Sequence, residues 1–216
     1  MKFDAVLFDC DGVLVDSEPI TGSVLRDMLA ELGWEMTLVQ CMHQFVGRSI
    51  KEELSIIAER TGRPVDATWL AAFQERRNAA LRERLTAIPN VHDAVRRIHA
   101  QHRARIACAS GADRFKVEMQ LRQVGLMDYF EGRIFSGYET PRSKPFADVY
   151  LAAADALQVD PQRCAVVEDT VTGVTAGVAA GAVVYAYAPL GDGDALLAAG
   201  AQALFTDMLH LPGMLH

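Results

Sequence analysis

Four carboxylates stand just after short apolar runs, and one amine stands just before a helical stretch. FDAVLF (3–8) leads into Asp9-Cys10-Asp11-Gly12, RIACA (105–109) into Ser110-Gly111 and CAVV (164–167) into Glu168-Asp169, while Lys144-Pro145 precedes a helical stretch. Runs this short and rich in Val, Ile and Ala read as buried parallel strands. Ligands of an open parallel sheet bind beyond the carboxyl ends of its strands, so these polar residues form the candidate site. Asp9, Asp11, Glu168 and Asp169 gathered at one edge repel one another, and one lysine cannot balance them. A divalent cation resolves the conflict. All-oxygen ligation points to Mg²⁺ rather than zinc. Mg²⁺ beside a carboxylate, a lysine, a serine hydroxyl and a glycine-adjacent amide suits a phosphoryl group, with cations on its oxygens and a carboxylate attacking in line.

Each piece alone has an ordinary reading. Strand-end aspartates cap turns, Ser110 or Glu168-Asp169-Thr170 could cap a helix, and Lys144-Pro145 could be a solvated lysine at a helix start. Their joint occurrence, each at a strand end, carries the inference.

The elements that position these residues follow from periodicity. AVVYA (182–186) adds another strand, and helical stretches at 91–101, 113–124, 146–157 and 171–180 alternate with the strands. Strand-helix alternation predicts an α/β fold with a doubly wound parallel sheet. The interval between FDAVLF and RIACA is too long for one crossover helix and reads almost wholly helical, in TGSVLRDMLAELG, KEELSIIAERTG and ATWLAAFQERRNAALRERL. A helical insertion is therefore expected at 16–87, with hinges near Val15–Pro19 and Ala87–Asn90 and a catalytic core formed by 1–15 and 88–216. The length agrees, since 216 residues divided by about 150 per domain gives roughly 1.4.

Charge excludes one class of partner. With 21 Lys and Arg against 28 Asp and Glu, the net of −7 argues against a general nucleic-acid binder. The arginines at 76, 77, 82, 84, 96, 97, 103 and 105 are interspersed with Glu75, Glu83 and Asp93 and read as solvated helix faces. The N-terminal apolar run is broken by Asp4 and stopped at Asp9, so neither a signal peptide nor a membrane span is expected and the location is read as cytoplasmic. Cys10, Cys41, Cys108 and Cys164 have no metal or disulfide spacing; Cys108 and Cys164 read as small buried hydrophobes. Trp34 and Trp69 read as packing for the inserted helices. Gly47-Arg48-Ser49 presents an arginine from a glycine turn, and with Glu18 near the hinge it is the candidate contact for the distal end of a ligand.

The motifs FDCDGVLVD, IACAS ending at Ser110, SKP around Lys144 and VVEDTVTG around Glu168-Asp169 together resemble the haloacid dehalogenase superfamily of phosphotransferases, over nearly the whole chain. The insertion is similar in position and length to the helical cap of the branch holding β-phosphoglucomutase and phosphoglycolate phosphatase. FSGYETPRSKP looks most like bacterial sugar-phosphate phosphatases that accept 6-phosphogluconate. Ala147 departs from the family's usual proline, a change expected to touch loop stiffness more than chemistry. The resemblance implies Asp9 as a nucleophile that becomes an aspartyl-phosphate. Asp11 would protonate the leaving oxygen and then activate water. Ser110 and the Gly111 amide would hold phosphate oxygens, Lys144 would offset charge, and Asp9, the Asp11 carbonyl and Asp169 would bind Mg²⁺ with Glu168 close by.

The expected activity is a Mg²⁺-dependent phosphatase for small phosphate monoesters, sugar or sugar-acid phosphates, acting as a monomer or weak dimer with no nucleic-acid or membrane partner. A phosphosugar mutase is the nearest alternative, but its relatives carry a histidine where this chain has Ile20. Dehalogenases and phosphonatases lack the second aspartate, here Asp11. A non-enzymatic phospho-ligand binding protein would predict a damaged site, whereas every expected position is filled.

Overall fold

The computed structural model describes residues 2–190 and 193–215. Strands β1 (Ala5–Phe8), β2 (Ile106–Ser110), β3 (Ile134–Ser136), β4 (Cys164–Glu168), β5 (Val183–Tyr187) and β6 (Ala203–Phe205) form one sheet in the order β3-β2-β1-β4-β5-β6. Every pairing is parallel. The helices are α1 (Glu18–Glu31), α2 (Leu38–Phe45), α3 (Ile50–Thr61), α4 (Ala67–Arg84), α5 (Val91–Gln101), α6 (Arg114–Gln123), α7 (Met127–Phe130), α8 (Asp148–Ala156), α9 (Val171–Ala179), α10 (Asp194–Ala198) and α11 (Leu211–Met214).

The expected doubly wound α/β sheet is present. β1 lies inside it because its side chains are apolar on both faces. Val6 and Phe8 enter a core with Val95 and Ile98 of α5 and Val117 and Leu121 of α6. Ala5 and Leu7 enter a second core with Val149 and Ala153 of α8 and Val174 of α9. Strands covered on both sides have no polar alternation, which is why these runs were legible. β3 and β6, three residues each at the sheet edges, are absent from the expected elements because so short a segment carries no periodicity.

Helices α1 to α4 have a core of their own, built from Leu25, Met28, Leu29, Cys41, Phe45, Ile57 and Phe73, with Trp34 and Trp69 packed against it. Local chemistry sets their starts: Thr37 and Gln40 form a capping box before α2, and Asp66 accepts from Thr68 N and Trp69 N at the start of α4. The chain enters and leaves this helical group side by side. Val15 and Ala87 form an antiparallel bridge, flanked by Asp16 N donating to Thr86 O at 3.0 Å and Ile88 N to Leu14 O at 3.1 Å. Among the described residues no helix is long and apolar enough to cross a membrane.

Candidate active site

Asp9 follows β1 and Glu168 ends β4, two strands paired in register through Phe8 and Val167. The two carboxylates are therefore neighbours at the sheet's carboxyl edge. Lys144 bridges them, its Nζ donating to Asp9 Oδ1 at 2.9 Å and Glu168 Oε1 at 2.6 Å. A buried charge needs partners, and Glu168, fully buried, has several. Tyr150 OH donates to its Oε1 at 2.6 Å, and Asp169 N and Thr170 Oγ1 donate to its Oε2 at 3.1 and 3.2 Å. Thr170 also caps α9, accepting from Gly173 N. Gly173 makes room for the cluster, since a Cβ there would lie 1.8 Å from Glu168 Oε1.

Asp9, Glu168 and Asp169 each offer an oxygen to a group whose members lie within 4.8 Å of one another. Asp169 Oδ1 is buried without a hydrogen-bond partner among the described residues. Gly12, at φ +74°, lets the loop approach; a Cβ there would stand 1.9 Å from Asp169 Oδ2. Burial, opposed by Lys144 and aided by Glu168, pushes the Asp9 carboxyl up to about 7. Burial and the charges of Glu18 and Glu168 raise Asp169 well above the carboxylate range, and burial with Asp11 and Asp9 nearby raises Glu18 to about 7. An orphaned carboxylate oxygen among buried, mutually repelling acids fits a hard divalent cation.

The carboxylate of Asp11 is engaged elsewhere. Its Oδ1 accepts from Ser17 Oγ, from Lys116 Nζ at 2.7 Å and from Gln120 Nε2 at 2.9 Å, and its Oδ2 accepts from Lys116 Nζ at 2.8 Å. Burial pushes Asp11 up, but the Lys116 ammonium and these hydrogen bonds outweigh it and hold the group at about 2. Sequence reasoning missed Lys116 and Gln120. They lie one turn apart on α6, among Val117 and Leu121 on its buried side. Two polar residues at i and i+4 within an apolar face were the available clue.

A cavity of about 130 Å³ opens over this floor. Asp9, Asp11, Glu18, Arg48, Ser110, Gly111 and Lys144 all line it, whereas Glu168 and Asp169 lie outside the lining, beside Asp9. Ser110 ends β2, is buried, and accepts from Ala112 N at 3.1 Å. Arg48 is half-exposed and pairs with Glu53 at 3.3 Å. One arginine departs from the solvated faces expected of its neighbours. Arg77 is buried, lines the cavity, and donates to Asn78 Oδ1 and to Asp113 Oδ2, the latter at 2.9 Å. It ties α4 to the start of α6, and Lys51 Nζ, 5.2 Å above the Tyr138 ring, makes a second contact between the helical group and the sheet edge.

The family model for haloacid dehalogenase-like hydrolases matches residues 3–181. The chain belongs to that family. Among its relatives, a phosphorylated carbohydrates phosphatase of Thermotoga maritima is 31% identical over 93% of this chain and 93% of its own length. A 6-phosphogluconate phosphatase of Escherichia coli is 29% identical over 85% of this chain and 82% of its own. A haloacid dehalogenase family hydrolase of Deinococcus radiodurans, solved with bound phosphate and sodium, superposes with a TM-score of 0.76 at 33% identity, covering 99% of this chain and 97% of that one.

Proposed function

We propose that this hydrolase removes the phosphate from small phosphorylated carbohydrates through a phosphorylated Asp9, with residues 16–87 acting as a cap over the site. The observation that carries the reading is the pairing of two aspartates with different surroundings at one cavity: Asp9 within the acidic group and bonded to Lys144, and Asp11 bonded to Lys116. The phosphatase relatives and the phosphate-bound hydrolase support it.

In the first step an Asp9 oxygen bonds to phosphorus, the P–O bond to the sugar breaks, and Asp11 gives the leaving oxygen a proton. In the second, water attacks phosphorus, Asp11 takes its proton, and the bond to Asp9 breaks. Asp11 enters as a carboxylate, the form the second step uses. A phosphate dianion brought beside it favours the protonated form that the first step uses. Ser110 and the Gly111 amide hold phosphate oxygens, and Lys144 offsets the charge gathered at Asp9. Asp9, Asp169 and the Asp11 carbonyl, with Glu168 close by, would hold Mg²⁺, which would supply the positive charge that keeps these carboxylates ionised beside a phosphate. Ile20, packed against the apolar core, offers no group to pass a phosphoryl between hydroxyls, which argues against a mutase.

The deciding experiment is phosphate release from a panel of sugar and sugar-acid monophosphates, with and without chelator. Activity should vanish with EDTA and return with Mg²⁺, while Ca²⁺, looser in its geometry, should inhibit. Full turnover in metal-free buffer would refute the reading. Stability provides a second measurement. Asp9 and Glu18, raised to about 7 from the ordinary 3.8 and 4.5, contribute stability that is present below those ordinary values and lost as pH rises through about 7. The metal-free thermal midpoint should therefore fall between about pH 5 and pH 8, and Mg²⁺ should raise it more at the upper end. An equal Mg²⁺ shift at both ends would place the cation elsewhere.

Arg48 is the candidate for discrimination, because the strand-end groups serve any monoester. If the substrate is a sugar acid such as 6-phosphogluconate, Arg48 meets its carboxylate. Arg48→Ala should lower kcat/KM for that substrate about tenfold more than for p-nitrophenyl phosphate, the size of one charge-assisted hydrogen bond. Equal losses on both would make Arg48 a phosphate or structural residue.

A further inference from the structure

The two oxygens of Asp11 are held unequally. A carboxylate offers about four lone-pair positions. Three donors crowd Oδ1, namely Ser17 Oγ, Lys116 Nζ and Gln120 Nε2, while among the described residues Oδ2 receives only Lys116 Nζ. The donors are themselves fixed. Lys116 and Gln120 are buried on one face of α6, Gln120 also accepts from Cys10 Sγ, and Asp113 caps the helix by accepting from Lys116 N at 2.9 Å. Arg77 holds the other oxygen of Asp113 from α4.

We propose that Lys116, with Gln120 and Ser17, anchors Asp11 by Oδ1 and leaves Oδ2 as the oxygen that hands over and takes up the proton, so that Lys116 is a positioning residue of the hydrolysis. This rests on the phosphatase reading above. In the first step the Oδ2–H bond breaks and the proton goes to the sugar oxygen as its bond to phosphorus breaks. In the second an O–H bond of water breaks, its oxygen bonds to phosphorus, and Oδ2 keeps the proton. A carboxylate free to rotate spends little time with a lone pair aimed at either oxygen. Lys116, itself part of the cavity wall, removes that freedom through its two bonds to the carboxylate.

Leaving-group dependence tests this. kcat/KM reports events up to release of the first product, and nitrophenolate, unlike a sugar alkoxide, departs without a proton. Lys116→Met should lower kcat/KM for the best sugar monophosphate of the panel by about 10² or more, and leave that for p-nitrophenyl phosphate within about threefold. Its kcat on p-nitrophenyl phosphate should fall, with a burst of nitrophenolate as phosphorylated Asp9 waits for water to be activated. Gln120→Leu, which keeps the ammonium, should show the same pattern in smaller measure and serves if Lys116→Met does not fold. A kcat/KM loss of equal size on both substrates would overturn the proposal by making Lys116 a phosphoryl-gripping or purely structural residue, and so would a variant indistinguishable from wild type. Failure of the wild type to release phosphate from any substrate would remove the phosphatase reading and this role together, whereas an active wild type with an equal loss removes only the role.

Discussion

Asp9→Asn should bring phosphate release down by roughly 10⁶, the scale seen when a covalent hydrolase loses its nucleophile, while the protein stays folded. The amide is isosteric, so the geometry at the end of β1 is kept and only the attacking oxygen's charge is lost. The fold should tolerate the change, because Lys144 keeps its bond to Glu168 at 2.6 Å and no buried charge is orphaned. Burial already pushes the Asp9 carboxyl up to about 7, so a neutral group there relieves crowding among the acids. Asp11→Asn is the informative contrast. On the proposed mechanism it leaves the nucleophile and removes a proton carrier worth about 10² to 10⁴, so a good leaving group should phosphorylate Asp9 and the adduct should persist in the intact mass. Asp9→Asn with more than trace turnover, or Asp11→Asn that neither slows nor accumulates an adduct, would reassign the site.

How far the sequence reveals this site depends on what each residue must do besides chemistry. Asp9, Ser110 and Glu168-Asp169 stand out because strands buried on both faces are uniformly apolar, and polar residues at their ends have no packing reason to be there. Lys116 and Gln120 are hidden by the opposite circumstance. On a helix, polar residues are ordinary on every turn, and only the packing of α6 against the loop after β1 turns these two inward. Arg76 and Arg77 make the same point side by side. Adjacent residues on a helix point about 100° apart, so Arg76 meets Glu31 in solvent while Arg77 lies buried beside Asp113. Their run of arginines gives no hint which is which. Tyr150 is concealed by its ring, which reads as core while its hydroxyl supports Glu168. The edge strands β3 and β6 are invisible for want of length.

Lys144→Ala should damage activity and stability together, and the way the two separate with pH identifies the amine's role. The ammonium lies between Asp9 at 2.9 Å and Glu168 at 2.6 Å, with both carboxylates at most 10% exposed. Removing one partner of such a buried group leaves uncompensated charge, at a cost of about 3 to 5 kcal/mol. The thermal midpoint at neutral pH should fall accordingly. The deficit should shrink toward about pH 5, because Asp9, raised to about 7, is then protonated and the repulsion that Lys144 relieves is weaker. Activity should not recover in parallel. A phosphate monoester keeps at least one negative charge across this range, its second pKa lying near about 6, so a phosphoryl group beside Asp9 should still require the positive charge, and loss of one such stabilising group costs about 10² to 10³ in kcat. Turnover restored together with stability at low pH would make Lys144 a structural counterion alone. Turnover lost at neutral pH with an unchanged thermal midpoint would mean instead that the acidic cluster does not need the lysine to stay folded and that its service is wholly to the phosphoryl group.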